Sequence, residues 1–448
     1  MLRRPLLTSS HEEAEEKSWF AKAITRLSRR SPVPMIISLV LAMLVFVAVI
    51  FILVKDVERK TKIRNNYVAS LNEMIYSDLN APFFNESVPE YRDRIKWQLD
   101  YSKTGTIFVS IASFRDIKCQ LALRQLFDRA EHPERVFVGV VDQTKLDESS
   151  DDVPCEALLH PSERSRVRLI RMPSSRAQGP THARYIASKL WNGEEAYMQI
   201  DAHSWFAHHW DTLLFDNLNA LPDPMRSAIT HYPPGTEAEL GQPGVTWVCE
   251  AKLHDQAPAG LFVQGQDVCR EPNKSPGIAL KSDGTRTTCL SPFMGGGFFA
   301  ARSNFLYDTP FDRYLPYIFH GEEVLIAARL WTSGWDLYTP IVNIVAHNYS
   351  PRVKNVHAET PTWGPIGKQS EARARFLLQT PVENDLDFDR SEIEHLGMGT
   401  ERPLKEYLAF AGIEQMSKGI FQSRCKQRWE NDKWCFSQRQ SSAQLKPS

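Results

Sequence analysis

The chain has 448 residues, of which 42% are hydrophobic and 24% charged, and its 53 Lys and Arg residues nearly balance its 54 Asp and Glu residues. This composition excludes a wholly disordered chain, a collagen-like fibre and a many-pass membrane protein, and the lack of a basic excess argues against a general nucleic-acid binder. Seven cysteines are too few for a disulfide scaffold, and without a CxxC pair they do not indicate a structural zinc ribbon.

An apolar run near the start of the chain predicts a single membrane span over residues 34–55. Residues 35–54 read MIISLVLAMLVFVAVIFILV, with Ser38 as their polar residue, and twenty helical residues span about 30 Å, the thickness of a bilayer core. Within about twenty residues, five Lys and Arg residues lie on each side, so the positive-inside rule gives no orientation.

The lengths on the two sides of this span favour a signal anchor. We expect residues 1–33 to be a cytoplasmic tail, residues 56–104 a stem and the large C-terminal part a lumenal domain. The protein would then be a single-pass type II protein of the Golgi or another secretory-pathway membrane. The sequon Asn85-Glu86-Ser87 is compatible with that orientation.

The rest of the chain alternates between strand-like and helix-like segments. Apolar, β-rich runs predict strands, amphipathic runs predict helices, and the short connections between them favour an α/β domain with a mostly parallel sheet, over residues 105–415, before a polar tail at 416–448. The predicted strands are 106–111, 136–141, 167–170, 196–200 and 298–301, and the predicted helices are 118–131, 181–191 and 322–333.

Two other features of the chain have a predicted structural role. Residues 233–292 are rich in Pro and Gly, and we expect them to form long loops over the face that binds ligands. Cys425 and Cys435 lie ten residues apart in the C-terminal region and are candidates for a disulfide.

The segment Tyr197-Met-Gln-Ile-Asp-Ala-His203 is the sharpest chemical signal. Side chains two apart in an extended chain point the same way, so Asp201 and His203 can reach one cation, and a carboxylate with an imidazole suits Mn²⁺. The alternative is that Asp201 caps a helix starting near Ser204 and that His203 is merely exposed. His347 follows another apolar run; it is a ligand if the fold brings it to Asp201, and structural otherwise.

Three other segments have both a functional and a structural interpretation. Gly179 to Arg184 is a turn and helix start beside a basic residue, which suits a diphosphate, or is an ordinary helix entry. Glu322 and Glu323 open a predicted helix, where carboxylates favour the positive dipole end; one of them could instead face a reacting sugar or an acceptor hydroxyl. The glycine run 295–297 lets backbone approach a ligand closely.

His208, His209 and Asp211 suggest a zinc site. They lack the HExxH spacing of a metalloprotease, and we interpret them as surface and capping residues.

Several fragments, in this order, resemble glycosyltransferase family 60, whose members attach α-linked GlcNAc to a hydroxyl of a polypeptide. The resemblance covers roughly residues 105 to 413. The matching fragments are Ile111-Ala-Ser-Phe-Arg-Asp116, Val141-Asp-Gln143, Gly179-Pro-Thr-His-Ala-Arg184, Gln199-Ile-Asp-Ala-His203 running on to Trp210-Asp211, Gly295-Gly-Gly-Phe-Phe-Ala300, Phe319-His-Gly-Glu-Glu323, His347-Asn-Tyr349 and Gly399-Thr-Glu-Arg402-Pro-Leu404.

The resemblance implies a GT-A fold, in which a Rossmann-like nucleotide-sugar half is fused to an acceptor half. It also implies a UDP-GlcNAc donor, Mn²⁺ or another divalent cation, and a polypeptide acceptor. The family retains anomeric configuration, which suggests front-face attack with the leaving phosphate taking the acceptor's proton, so no general base is assigned. The implied site residues are Asp201, His203 and His347 for the metal; Ser113, Phe114, Arg115, Asp142, Arg184, Asp201 and Gly296 for the donor; and Glu322, Glu323 and Arg184 for catalysis.

Two departures from the family pattern bear on this interpretation. Thr181 and His182 stand where other members often have a Cys and an aromatic residue. The membrane span is absent from cytosolic members and favours a secretory-pathway Ser/Thr or hydroxyproline acceptor. A further sequon begins at Asn348 beside His347, and we expect Asn348 to be unmodified because a glycan there would crowd the metal site.

Three alternatives stay open at this point. The same fold could use another UDP- or GDP-sugar. The chain could be a catalytically silent, membrane-tethered binding module. The histidines could serve a metal-dependent hydrolase.

Overall fold

The computed structural model describes residues 33–71, 75–76, 84–145, 151–253, 261–263, 266–268, 287–350, 354–361, 363–380, 387–414, 422–425 and 435–437. The chain divides into two compact units, Met1–Val68 and Ala69–Ser448. Helix α1, Val33–Leu71, contains the predicted span. Its segment Ile37–Glu58 is, within the described ranges, the one stretch long and apolar enough to cross a membrane.

The second unit is an α/β domain, as expected. Its helices are α2 (Val88–Asp100), α3 (Cys119–Asp128), α4 (Pro180–Ser188), α5 (Trp210–Asn219), α6 (Phe305–Asp308), α7 (Glu322–Thr332), α8 (Val356–Glu359), α9 (Trp363–Leu377), α10 (Ile393–Leu396) and α11 (Leu404–Ala411). Its strands are β1 (Ile75–Tyr76), β2 (Lys103–Phe114), β3 (Val136–Thr144), β4 (Val167–Pro173), β5 (Glu194–Asp201), β6 (Ser204–Phe206), β7 (Ser227–Thr230), β8 (Thr246–Val248), β9 (Ala251–Leu253), β10 (Leu261–Val263), β11 (Gln266–Val268), β12 (Thr287–Cys289), β13 (Phe298–Arg302), β14 (Asp336–Tyr338), β15 (Val345–His347) and β16 (Cys435–Ser437).

An eight-stranded mixed sheet organises this unit in the order β1-β4-β3-β2-β5-β13-β7-β14. Neighbouring strands are parallel except at β13, which runs antiparallel to both β5 and β7. The register places Ala112 opposite Asp201 and Ser113 opposite Asp142. The carboxyl ends of β2, β3 and β5 therefore meet at one edge, where ligands bind in open α/β sheets.

Apolar side chains on both faces hold the sheet in place. Val109, Val138 and Met198 of the strands share one core with Leu123 of α3 and Trp210 of α5. All five are fully buried, and each side chain of this size contributes about 1.5–3 kcal/mol on burial. This is why the continuous apolar runs in the sequence form interior strands.

On the other face, α4 packs against β2 and β3. Gly139 of β3 makes room there for a ring, because a Cβ at this position would lie 2.3 Å from Phe108 Cζ. The packing of α4 fixes the direction in which Arg184 points.

Helix α2 belongs to the second compact unit, whereas the sequence predicts that its residues belong to the stem. Ser87 caps the helix by accepting the N–H of Glu90, whose carboxylate accepts the N–H of Ser87 in return. Such a cap contributes about 1 kcal/mol. Val88 and Ile95 are buried, so the domain begins before residue 105.

Two expectations about local structure are wrong. Cys425 pairs with Cys249 rather than with Cys435, and a further disulfide joins Cys119 to Cys155. The described parts of 233–292 are not only loops, since β8 pairs with β11 and β9 with β10.

Candidate active site

Three side chains at the carboxyl edge of the sheet form a group suited to a divalent cation. Asp201 ends β5, and a tight turn places His203 just before β6. Strand β15 pairs antiparallel with β6 and sets His347 opposite Ser204. The ligand atoms of Asp201, His203 and His347 all lie within 4.8 Å of one another. The fold therefore brings the late histidine to the earlier pair.

The atoms of this group face one another. His347 Nε2 lies 3.0 Å from Asp201 Oδ2 and 2.9 Å from His203 Nε2. Two imidazole nitrogens aimed at one point beside a carboxylate form a donor set that fits Mn²⁺. His203 is buried and no helix begins at Ser204, so the capping interpretation of Asp201 and the exposed position of His203 are both wrong.

Arg184 links this group to the acidic helix start. Its guanidinium is buried and donates to Asp201 Oδ1 at 3.1 Å, to the carbonyl of Gly296 at 2.9 Å and to Glu322 Oε1 at 2.6 Å. Burial raises the pKa of Asp201, but the hydrogen bond from His347 and the charge of Arg184 outweigh it, and the net pKa lies well below its ordinary value. Asp201 is therefore a carboxylate at any physiological pH.

The two glutamates at the start of α7 have different environments. Glu322 is buried and accepts from Arg184 and from the hydroxyl of Thr181. Glu323 accepts from the Gly296 N–H at 2.6 Å and from the Tyr232 hydroxyl at 2.8 Å. Burial raises the pKa of Glu323 to about 7, the charge of Glu322 adds to the rise, and the two donors oppose it. Both glutamates thus make specific contacts besides favouring the helix dipole.

The glycine run lies against these groups. A Cβ on Gly295 would lie 2.5 Å from the carbonyl oxygen of His231, closer than real side chains approach. A Cβ on Gly296 would lie 3.3 Å from Glu323 Oε1, and one on Gly297 would lie 3.5 Å from Asp201 Oδ2. Side chains here would fill the space beside the acidic groups, so the glycines keep that space open.

The ends of β2 and β3 carry the predicted donor residues Ser113, Phe114 and Asp142. The Ser113 hydroxyl is buried, with no hydrogen-bond partner in the described part of the chain. Asp142 accepts the N–H of Cys155 at 3.2 Å, and burial raises its pKa to about 6 against the opposing effect of that hydrogen bond. Cys155 belongs to a disulfide, which fixes the loop beside Asp142.

Arg115 lies at the same edge, but its guanidinium is already neutralised. It pairs with Asp152 at 2.9 Å and with Glu359 of α8. Lys354 reaches the same Asp152 at 2.7 Å. Arg115 therefore ties the loop after β3 to the segment after β15.

The remaining histidine cluster does not join the metal group. His208 and His209 are exposed, as predicted. Asp211 is buried and accepts the backbone N–H groups of Glu131 and His132 at 2.7 and 2.8 Å. Asp211 therefore fixes the turn after α3; it neither caps its own helix, whose N-cap is His209, nor lies at the surface, so the interpretation of this residue is wrong.

Sequence reasoning missed two contributors to the site. Asp116 contacts His203. In the sequence, the one indication of a role for Asp116 is that it ends the family-like fragment 111–116. Tyr232 contacts Glu323 and lies in a Pro-rich segment without periodicity. Asn348 is half-buried, and its N–H donates to the carbonyl of His203, so the sequon does lie beside the metal group; its lack of a glycan stays a prediction.

Comparison with known proteins places the chain in a family. The family described as Glycosyltransferase (GlcNAc) matches residues 106–163 and 155–417. No curated protein matches the chain. This match agrees with the glycosyltransferase that the sequence resemblance implied, and the mixed sheet agrees with the α/β fold expected for it.

Three solved structures are similar at low identity. GalNAc-T7 with UDP, GalNAc and Mn²⁺ is 16% identical over 68% of this chain and 56% of its own, with a TM-score of 0.43, so this chain spans little more than half of that one. The mannosyltransferase PcManGT from Pyrobaculum calidifontis, in complex with GDP-Man and Mn²⁺, is 15% identical over 67% of this chain and 72% of its own, with a TM-score of 0.33. S. aureus TarS 1-349, in complex with UDP-GlcNAc, is 14% identical over 68% of this chain and 71% of its own, with a TM-score of 0.36.

Because the family match covers well over half of the 448 residues, the chain belongs to the GlcNAc glycosyltransferase family.

Proposed function

We propose that this protein is a metal-dependent retaining glycosyltransferase that moves GlcNAc from UDP-GlcNAc to a hydroxyl of a polypeptide, on hydroxyproline, Ser or Thr. The observation that carries the proposal is the group Asp201, His203 and His347 beside the buried Arg184 at the carboxyl edge of the sheet. Membership of the GlcNAc family supports the sugar. The polypeptide acceptor rests on the resemblance to glycosyltransferase family 60.

The residues divide the work of binding and stabilising charge. Asp201, His203 and His347 would hold Mn²⁺, which when bound neutralises charge on a diphosphate. Arg184 adds a fixed positive charge in direct contact with Asp201. Glu322 holds the Arg184 guanidinium in place. Such preorganised charge stabilises a leaving group more than it stabilises the bound substrate.

In the proposed transfer, the bond from the anomeric carbon to the UDP oxygen breaks, and a bond from that carbon to the acceptor oxygen forms on the same face. The acceptor's proton passes to the phosphate oxygen that is released. Glu323, whose oxygens already accept from Gly296 and Tyr232, is assigned to orienting sugar or acceptor hydroxyls. It is not assigned as a base.

The donor's uridine would lie along the ends of β2 and β3. Ser113, Phe114 and Asp142 are the residues proposed to line it, because the buried Ser113 hydroxyl lacks a partner within the described chain. Arg115 would border this pocket through its ion pairs with Asp152 and Glu359. Gly296 would let the sugar approach Glu323.

The location of the enzyme is part of the proposal. The apolar segment Ile37–Glu58 supports anchoring by a single span. A type II orientation in a Golgi or other secretory membrane would place the site with lumenal polypeptides. Protease protection of the C-terminal domain in sealed microsomes tests this orientation.

The test of the activity is UDP release from UDP-GlcNAc by the full chain in detergent. We expect slow hydrolysis with Mn²⁺ that is lost with EDTA and in Asp201→Ala. Asp216→Ala, an exposed carboxylate of α5, is the matched control and should keep full activity. UDP-GalNAc, UDP-galactose and GDP-mannose test the alternative donors. A folded protein that releases no nucleotide from any of them would contradict the proposal and favour the silent binding module.

A further inference from the structure

The carboxylate of Asp116 contacts His203 from the side opposite the metal group. Its Oδ2 lies 2.7 Å from His203 Nδ1, while His203 Nε2 faces His347. Both side chains are buried, with 6% of Asp116 and 3% of His203 exposed. The pair is therefore a desolvated, charge-assisted hydrogen bond that joins the end of β2 to the end of β5.

This contact decides which ring nitrogen of His203 carries the proton. An ionised carboxylate can only accept, so Nδ1 must donate to it. In the neutral ring Nε2 then keeps its lone pair, and that lone pair is what a metal binds. Nε2 is the atom that points toward the other two ligands.

Asp116 itself is held rigidly and is not a ligand. Its Oδ1 accepts the N–H of Lys118 at 2.9 Å, and its carbonyl accepts the N–H of Cys119. The disulfide from Cys119 to Cys155 fixes the start of α3. Each carboxylate oxygen thus has an N–H donor, and Asp116 lies outside the group whose ligand atoms come within 4.8 Å.

Among the described residues, His347 contacts a carboxylate only within the metal group, where its Nε2 faces Asp201, and it has no comparable hydrogen bond on the opposite side of its ring. Its Nδ1 is buried without a partner in the described part of the chain. Its ring instead packs against Tyr349, with ring centroids 4.2 Å apart, and the backbone N–H of His347 donates to the carbonyl of Pro234 at 2.9 Å. Of the two histidines, His203 is the one with a carboxylate on the ring nitrogen that faces away from the other ligands.

We infer that Asp116 is a positioning residue that holds His203 in the orientation and tautomer needed to bind a divalent cation. The inference rests on the metal-dependent function proposed for the same group. Loss of a carboxylate that orients a metal-binding histidine typically lowers metal affinity by about 10–100-fold.

The experiment measures the Kd for Mn²⁺ alone, by electron paramagnetic resonance of free Mn²⁺, with the full chain in detergent. The variants are Asp116→Asn and Asp116→Glu, which keeps the charge on a longer side chain. Asp211→Asn is the matched control, because Asp211 is also buried and accepts two backbone N–H groups but lies away from the cation group. Thermal unfolding without metal reports on folding.

We expect Asp116→Asn to raise the Kd by about 10–100-fold, Asp116→Glu to raise it less, and Asp211→Asn to change thermal stability alone. Excess Mn²⁺ should restore UDP release in Asp116→Asn, which a misfolded site would not allow. An unchanged Kd or equal weakening in Asp211→Asn would overturn the inference, and so would a lack of rescue in Asp116→Asn where the wild-type chain does release UDP.

These outcomes are distinct from those that test the transferase itself. Mn²⁺-dependent UDP release with an unchanged Kd in Asp116→Asn would overturn this inference and leave the transferase standing. Tight Mn²⁺ binding that depends on Asp116, without UDP release by the wild-type chain, would support this inference and overturn the transferase. A wild-type chain that binds no Mn²⁺ would overturn both.

Discussion

Replacing Arg184 with Met tests whether one buried guanidinium holds the site together. Arg184 is 5% exposed and Glu322 is 4% exposed, and their charges meet at 2.6 Å. Arg184→Met keeps the length and apolar stem of the side chain but leaves Glu322 with the Thr181 hydroxyl as its other described donor. Breaking a buried pair from one side costs about 3–5 kcal/mol, so we expect that loss in the free energy of unfolding.

A double-mutant cycle separates the pair from its surroundings. Glu322→Gln should also destabilise the domain, because it leaves the guanidinium with Asp201 and a carbonyl. The double variant Arg184→Met/Glu322→Gln leaves neither charge behind, so its cost should fall short of the sum of the two single costs by about 2–3 kcal/mol. Urea unfolding of the full chain in detergent, followed by tryptophan fluorescence without metal, gives these values.

Activity supplies an independent readout. Loss of one preorganised group that stabilises transition-state charge typically costs 10²–10³-fold in rate, and we expect UDP release by Arg184→Met to fall by about that factor. Arg176→Met, at an exposed arginine, is the control and should leave both quantities unchanged. A loss in the free energy of unfolding below about 1 kcal/mol for Arg184→Met would refute the reasoning, and so would losses in the two single variants that add up to the loss in the double variant.

Three further predictions use other parts of the site. The pKa of Glu323 is raised from 4.5 to about 7, so its contribution to stability is full below about pH 4.5 and is lost as pH rises to 7. Glu323→Gln should remove that slope from melting temperatures between pH 5 and 8, and an unchanged slope would contradict it. Gly295→Ala should cost about 1–3 kcal/mol through overpacking, whereas Gly297→Ala should melt normally but release UDP more slowly; equal melting losses would argue against this geometry. Cys119→Ser/Cys155→Ser should cost about 2–4 kcal/mol and raise the KM for UDP-GlcNAc, and an unchanged KM would show that the disulfide does not shape the donor pocket.

The sheet could be predicted because its strands are buried on both faces. The runs at 106–111, 136–141, 167–170 and 196–200 lie within β2, β3, β4 and β5, each of which extends beyond its predicted run. Continuous apolar runs between turn signals identify interior strands, and short connections imply parallel neighbours. The order of the strands across the sheet could not be predicted in the same way, because β13 comes from a distant part of the chain and inserts between β5 and β7.

The site could be predicted less completely, because very short strands bring some of its residues together. Strands β6 and β15 have three residues each. No local sequence pattern predicts that they pair across more than 130 intervening residues. Their pairing is what makes His347 a partner of His203. The disulfide from Cys249 to Cys425, 176 residues apart, escaped prediction for the same reason: spacing along the chain carries no information about a contact that the whole fold creates.

The charges of the site provide a reason to expect the proposed metal dependence, and this reason does not depend on resemblance. Asp201 and Glu322 are paired with one guanidinium, that of Arg184, and Glu323 adds charge above its pKa of about 7. With the Asp116 carboxylate that contacts His203, the described cluster therefore carries two to three net negative charges, and the two imidazoles must be neutral to offer a lone pair. A nucleoside diphosphate brings about two more negative charges to the same edge of the sheet. Without added positive charge the two would repel each other at short range in a desolvated setting, so we expect the proposed donor to need a divalent cation in order to bind. UDP should accordingly bind with Mn²⁺ and fail to bind in EDTA, and equal UDP affinity in both would show that this account of the charges is wrong.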